Sequence, residues 1–275
     1  MTSAPESTAT ETSADEPGPE DDVEMGFFDH LAELRKRLIN IALGLVVPVF
    51  TAFYFRVEIL WWLKKPLVDA YAKRGLVAKL HFSTPIDAMV AYLELSVAIG
   101  LVVAAPWIFW QIWQFVAPGL YRHERKMVLP FIVGTGFFFI GGAFFGYVVV
   151  FPTFFEFLLD FNEGLEDNLL IGDFVSFSTR MLVAFGCVFE VPVVTTLLSI
   201  LGIVDWKQLL AFGRWWVVIA SIVAAILTPP DPMSQMLMMI PLIVLYFLSV
   251  GVAYFIGKKP EAEAPPEEPE VGAGP

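Results

Sequence analysis

Six apolar runs organise the chain: Leu38–Phe55, Ala88–Ala117, Met127–Phe151, Met181–Ile203, Trp215–Leu227 and Met233–Ile256. A membrane-spanning helix needs about 20 predominantly apolar residues to cross a hydrocarbon core of about 30 Å. Four runs meet that length or nearly so, and the second is long enough to tilt or to project beyond the bilayer. The fifth holds only 13 residues, or roughly 20 Å of helix. It spans only where the bilayer thins or flanking residues snorkel. The stretch Thr228-Pro229-Pro230-Asp231-Pro232 reads as a compact turn between the last two runs, which keeps the fifth as a span. The pattern therefore predicts an all-α membrane protein of six transmembrane helices. Prolines inside or beside the runs, at 48, 106, 118, 130, 152, 192 and 241, predict kinked and curved helices rather than a parallel bundle.

An even number of spans puts both termini on one side, with the segments near 118–126 and 204–214. That side carries ten Lys and Arg residues: Arg35, Lys36, Arg37, Arg122, Arg125, Lys126, Lys207, Arg214, Lys258 and Lys259. The other side carries seven, six of them in the 56–87 segment. The bias makes the termini cytoplasmic, although the basic outer segment works against it. Composition agrees with a membrane body, at 57% hydrophobic residues. The net charge of −12 belongs to the ends. Residues 1–24 hold eight acids and residues 260–275 hold five, with no Lys or Arg in either, so the remaining chain sets 17 basic residues against 16 acids. Three regions follow: a disordered acidic tail over 1–25, a membrane domain over 26–257 and a disordered tail over 258–275. The N-terminus lacks the basic-then-apolar pattern of a secretory signal.

Within the fourth run Glu190 stands out, with Pro192 two residues on. An ionisable group at membrane depth costs on the order of several kcal/mol unless partnered, so it marks a functional position by default. The proline frees a carbonyl that a neighbour or a wet cavity must satisfy. Ahead of the first span, Phe27, Leu31, Leu34 and Leu38 recur at helical spacing, which predicts an amphipathic approach to the membrane surface. On that helix Glu33 and Arg37 stand in the favourable i,i+4 order, so spacing alone reads Glu33 first as half of a surface pair. Glu124 sits among Arg122, Arg125 and Lys126 and by position alone reads first as an acid balanced by its neighbours. Those bases also suit anionic lipid. A single cysteine, Cys187, excludes an intrachain disulfide, and three scattered histidines give no metal-ligand spacing. No phosphate-binding glycine loop or nucleophile–base set is present, so neither an enzyme, a cofactor, a metal nor a nucleic-acid partner is expected.

Four motifs in order, HLAELRKRL (30–38), FVAPGLYRHERK (115–126), FGCVFEVPV (185–193) and LTPPDPMSQ (227–235), resemble the TatC family of the twin-arginine protein translocase over about residues 26–257. The resemblance implies a glove-shaped core receptor of the bacterial cytoplasmic (inner) membrane. It would bind the paired arginines of signal peptides on folded precursors and nucleate the translocation complex, driven by the proton motive force. It implies partners too: single-span TatA- and TatB-like subunits, and further copies in an oligomeric assembly. Glu33 and Glu124 match the family's acids that contact the arginine pair. Planar guanidinium grips carboxylate bidentately, as an ammonium does not. Arg35, Phe115, Pro118, Leu120, Tyr121 and His123 match the rest of that surface, with packing an equal alternative for Phe115. Glu190, with Pro192, matches the family's acid on the concave face. Its alternatives are partner docking and a carboxyl hydrogen-bonded to unwound backbone. Asp231 and Gln235 match the polar outer turn, where Asp231 alternatively caps the next helix. The family's last two helices are short, an expectation that the fifth run fits and the sixth does not.

Two other classes compete on the residues alone. A proton-coupled solute transporter would use Glu190 as its proton site, but the internal repeats common in such folds are not evident. An intramembrane enzyme would need a nucleophile–base or metal pair on facing spans.

Overall fold

The computed structural model describes residues 27–116, 128–161, 169–228 and 232–256. Helix α1 spans Phe27–Tyr54, and short helices α2 (Arg56–Leu63) and α3 (Lys65–Ala72) follow. Helix α4 covers Pro85–Val116 and α5 covers Val128–Phe145. A π-helical turn, Gly146–Val150, carries α5 without a break into α6, Phe151–Phe161. Helices α7 (Ile171–Ile200), α8 (Trp206–Leu227) and α9 (Pro232–Ile256) complete the fold. Among the described residues, six helical stretches are long and apolar enough to cross a membrane. The chain is thus an all-α, six-span membrane protein. Both expected tails lie outside the described residues.

The fifth span departs from the sequence expectation. Its helix has 22 residues, where the apolar run has 13, so it reaches about 33 Å. The run was cut short by Lys207 and Arg214, which sit on the helix without ending it. The helix instead begins at Asp205, whose N–H donates to the Gln208 side-chain carbonyl at 3.0 Å. With α9 at 25 residues, neither of the last two helices is short. A second departure concerns Pro192. Helix α7 runs continuously through it, and no unwound stretch surrounds Glu190. The Thr195 hydroxyl donates to the Val191 carbonyl at 2.8 Å beside the proline.

The basic 56–87 segment is structured rather than a plain loop, and its short helices pack against α4 and α6. Lys73 pairs with Glu156, and Arg74 pairs with Asp160 while donating to the Glu156 carbonyl at 3.1 Å. Arg56 lies over the rings of Phe53 and Tyr92. Trp62 stacks on Tyr147 at 3.7 Å, and the Tyr147 hydroxyl donates to the Trp62 carbonyl at 2.7 Å. Strand β1 (Leu80–His81) pairs in parallel with β2 (Leu169–Leu170), joining the entries to α4 and α7. At the start of α4, Thr84 and Asp87 exchange side-chain and backbone hydrogen bonds, with Pro85 in the first helical position. Three of the six bases that weaken the orientation rule are therefore engaged by local partners.

Close helix approach rests on glycine. A Cβ on Gly142 would lie 2.5 Å from the Phe185 carbonyl oxygen and 2.7 Å from the Phe189 Cβ, both on α7. Gly186 of α7 in turn lies under the Phe139 ring. Gly142→Val forces α5 and α7 apart, and overpacking of this kind costs about 1–3 kcal/mol. The expected outcome is a lowered unfolding temperature in detergent, with Gly141→Val, where a Cβ meets nothing within 4 Å, close to wild type.

Candidate ligand-binding site

The N-terminal end of α1 and the C-terminal end of α4 pack antiparallel, in a register read from their contacts. Arg37 faces Gln114, Asn40 faces Gln111, Gly44 lies beneath Trp107, and Gly100 lies beneath Val49. The Trp107 indole N–H donates to the Asn40 carbonyl at 3.1 Å and fixes the pairing. Glu33 sits one turn before Arg37, and Arg37 Nη2 donates to Glu33 Oε1 at 3.0 Å. The other end of the guanidinium, Nη1, donates to the side-chain carbonyl of Gln114 and to that of Gln111 at 3.4 Å. The side chains of Arg37 and Glu33 are 22% and 20% exposed. That is open enough to meet a ligand and shielded enough for charge to matter. Phe115 stacks on His30 at 4.4 Å, beside this cluster in sequence on both helices. Arg35 is exposed.

The structure thus brings together Glu33 and Arg37, and separately Phe115 and His30, at the junction of α1 and α4. Pro118, Leu120, Tyr121, His123 and Glu124 lie outside the described residues, as does Asp231. Gln111, Gln114 and Asn40 were not singled out from the sequence. Their signal was available in WQIWQF, where two amides three residues apart interrupt an apolar run.

Glu190 lies deeper, roughly 15 Å along α7 from Ile200. It is 8% exposed, and both carboxylate oxygens are buried without a hydrogen-bond partner among the described residues. It adjoins α5 near Phe139, one turn beyond the glycine contact at Gly186. Pro192 points elsewhere, into an apolar recess of about 310 Å³ formed with Phe131, Gly134 and Phe138 of α5 and Val252 of α9. Glu190 does not line it. Gln235 is already occupied: its amide N–H group donates to the Ser221 carbonyl at 3.0 Å and hydroxyl at 3.1 Å, tying α9 to α8. A second intramembrane acid, Glu94 on α4, escaped notice within the second apolar run. It accepts hydrogen bonds from Ser176 at 2.5 Å and Thr179 at 3.3 Å on α7. The contrast is informative, because Glu94 accepts side-chain hydrogen bonds across the fold, whereas Glu190, near the Phe139 backbone, accepts no well-formed one among the described residues.

Six apolar helices, polar groups gathered where α1 meets α4 and, among the described residues, a buried acid at Glu190 define a multi-pass membrane protein. A family model described as "Sec-independent protein translocase protein (TatC)" matches residues 29–241. The chain belongs to the TatC family. It is 40% identical to the TatC protein of Halothiobacillus neapolitanus over 248 residues, covering 89% of this chain and 66% of that relative. To the TatC protein of Helicobacter pylori it is 38% identical, covering 84% of this chain and 88% of the relative. Among solved structures, the twin arginine translocase receptor TatC crystallised in DDM superposes with a TM-score of 0.74 at 34% identity, covering 83% of this chain and 99% of that one. The relatives are named as protein translocase proteins, a transport role rather than an enzymatic one.

Proposed function

We propose that this chain is the signal-peptide receptor of a twin-arginine export pathway in the bacterial cytoplasmic membrane. In this reading the arginine pair docks on Glu33 and Glu124 at the cytoplasmic interface. The observation that carries it is that Glu33 already holds a guanidinium, that of Arg37, through one oxygen in a half-shielded setting. Carboxylate with guanidinium is the strongest hydrogen-bonded pair available to side chains, and it discriminates against ammonium by geometry. Arg35, Phe115, Pro118, Leu120, Tyr121 and His123 would form the surrounding surface. The apolar part of the signal would then lie along the helices toward Glu190. Glu190 and Pro192 would serve partner docking by single-span TatA- and TatB-like subunits, with Asp231 and Gln235 at the outer turn. Further copies would join the assembly, and the proton motive force would drive transport. Cytoplasmic termini follow from the same reading.

The test is export of a folded reporter bearing an arginine-pair leader, in cells whose own copy is replaced by Glu33→Ala/Glu124→Ala. Export is expected to fall at least about tenfold, the scale of losing one charge-assisted hydrogen bond. Normal export in the double variant would refute the assignment of the two acids. Solute uptake into vesicles that depends on Glu190 would favour the transporter reading instead.

A further inference from the structure

We infer that two recesses joined at Val148 form a binding site for one phospholipid whose headgroup carries both a phosphate and a primary ammonium. The first recess, of about 320 Å³, lies where α3 packs on α6, and its rim carries Lys65, Asp69, Lys73 and Glu156. The second, of about 330 Å³, is lined by apolar residues alone, among them Gly141, Phe144 and Phe145 of α5 and Phe189 of α7. Val148 lines both, so the charged recess continues into the apolar one. It sits in the π-helical turn between α5 and α6, a feature found disproportionately at functional sites. The site is separate from the Glu33 cluster and does not depend on the receptor role.

Depth and charge together select the occupant. From Pro152 in the charged recess to Gly141 in the apolar one, the helix rises roughly 17 Å. That is about half of a hydrocarbon core of about 30 Å, the depth of one leaflet, and it suits an acyl chain rather than a spanning helix. The charged end lies at headgroup level: Trp61 and Trp62 are exposed on α2, and Trp62 stacks on Tyr147, which lines the recess. On the rim, Lys73 is held by Glu156. Lys65 and Asp69 stand one turn apart on α3, both exposed, with neither an ion pair nor a side-chain hydrogen bond among the described residues. An ammonium and a carboxylate presented side by side match a zwitterion. Lys65 takes the phosphate oxygens, and Asp69 accepts from the headgroup ammonium. A trimethylated ammonium has no N–H to donate, and an anionic headgroup without an ammonium faces the like charge of Asp69. The lipid also gives bases of the 56–87 segment a role that membrane orientation does not.

The experiment is native mass spectrometry of the detergent-purified full chain, titrated with phosphatidylethanolamine, phosphatidylcholine and phosphatidylglycerol of identical acyl chains. Phosphatidylethanolamine is expected to bind at least about fivefold more tightly than either of the others, the scale of one charge-assisted hydrogen bond at an exposed rim. Lys65→Gln/Asp69→Asn is expected to erase that preference. Gly141→Val fills the apolar recess and should weaken all three lipids alike. Its unfolding temperature should stay that of the wild type, because a Cβ there meets nothing within 4 Å. Equal binding of the three lipids to the wild type, or an unchanged preference in the double variant, would overturn the inference. Tightest binding of phosphatidylglycerol would overturn it too, and reduce the rim to a basic patch. Wild-type affinity in Gly141→Val would show that the acyl chain lies elsewhere, and binding of none of the lipids would leave the recesses to a partner's helix. Should the double variant not fold, the three headgroups compared on the wild type decide alone.

Discussion

Glu33→Lys is expected to abolish binding of an arginine-pair peptide, where Glu33→Ala only weakens it. The alanine variant loses a charge-assisted acceptor, which contributes about 1.5–3 kcal/mol. Lysine does more. It sets an ammonium near Arg37, whose Nη2 lies 3.0 Å from the carboxylate it replaces, with Lys36 also one turn away at i+3. Two unit charges 4 Å apart near a protein surface repel by roughly 4 kcal/mol. A ligand bringing two further positive charges meets that field in place of an acceptor. Titration of a fluorescent signal peptide should show affinity reduced by at least about a hundredfold, since 1.4 kcal/mol is a factor of about ten. A loss smaller than tenfold would mean that the peptide is held by its apolar segment.

At Glu190, stability and function are expected to move in opposite directions. Both of its oxygens are buried without a partner among the described residues. An unsatisfied buried polar group costs about 1–3 kcal/mol, and an apolar replacement of similar shape removes that cost. Glu190→Leu should therefore unfold at the same temperature as the wild type or higher in detergent. The same variant should fail to copurify the single-span partner, if the carboxyl is kept unsatisfied for a group on that partner. Glu190→Gln should fall between. Glu94 supplies the control: Glu94→Leu strands the Ser176 hydroxyl and deprives Thr179 of one acceptor, and it should lower stability. A large loss of stability in Glu190→Leu, with partner capture intact, would show that the fold itself satisfies the acid.

The spans were legible because burial in lipid demands long apolar runs. The second and sixth runs match their helices closely, while each of the others falls about ten residues short at one end, where polar residues sit on a helix that continues. The fifth misled because hydropathy treats Lys207 and Arg214 as ends, whereas a helix near the interface keeps its backbone bonds and lets such side chains reach water. Pro192 misled in the other direction. A proline removes one backbone bond but does not unwind a helix whose neighbours hold it on several sides. Family membership was legible because four short motifs keep their order. The Glu33–Arg37 pair followed from i,i+4 spacing, and the structure contains it. Its extension to Gln111 and Gln114 joins residues more than 70 positions apart. No local periodicity carries such a contact, and only the antiparallel register of α1 on α4 supplies it. The same holds for Glu94, whose partners sit more than 80 positions away. The outer segment was read for its charge and not for its helices, since α2 and α3 are too short to stand out from a basic loop.

The most direct measurement is binding of a synthetic arginine-pair signal peptide to the detergent-purified chain, run beside a lysine-pair peptide and the Glu33→Ala/Glu124→Ala variant. Saturable binding that both controls lose is the predicted result. It would make the interface at the start of α1 the receptor site. Equal binding in all three arms would contradict the account, reduce the interaction to apolar adsorption, and return attention to Glu190 as the centre of a different transport function.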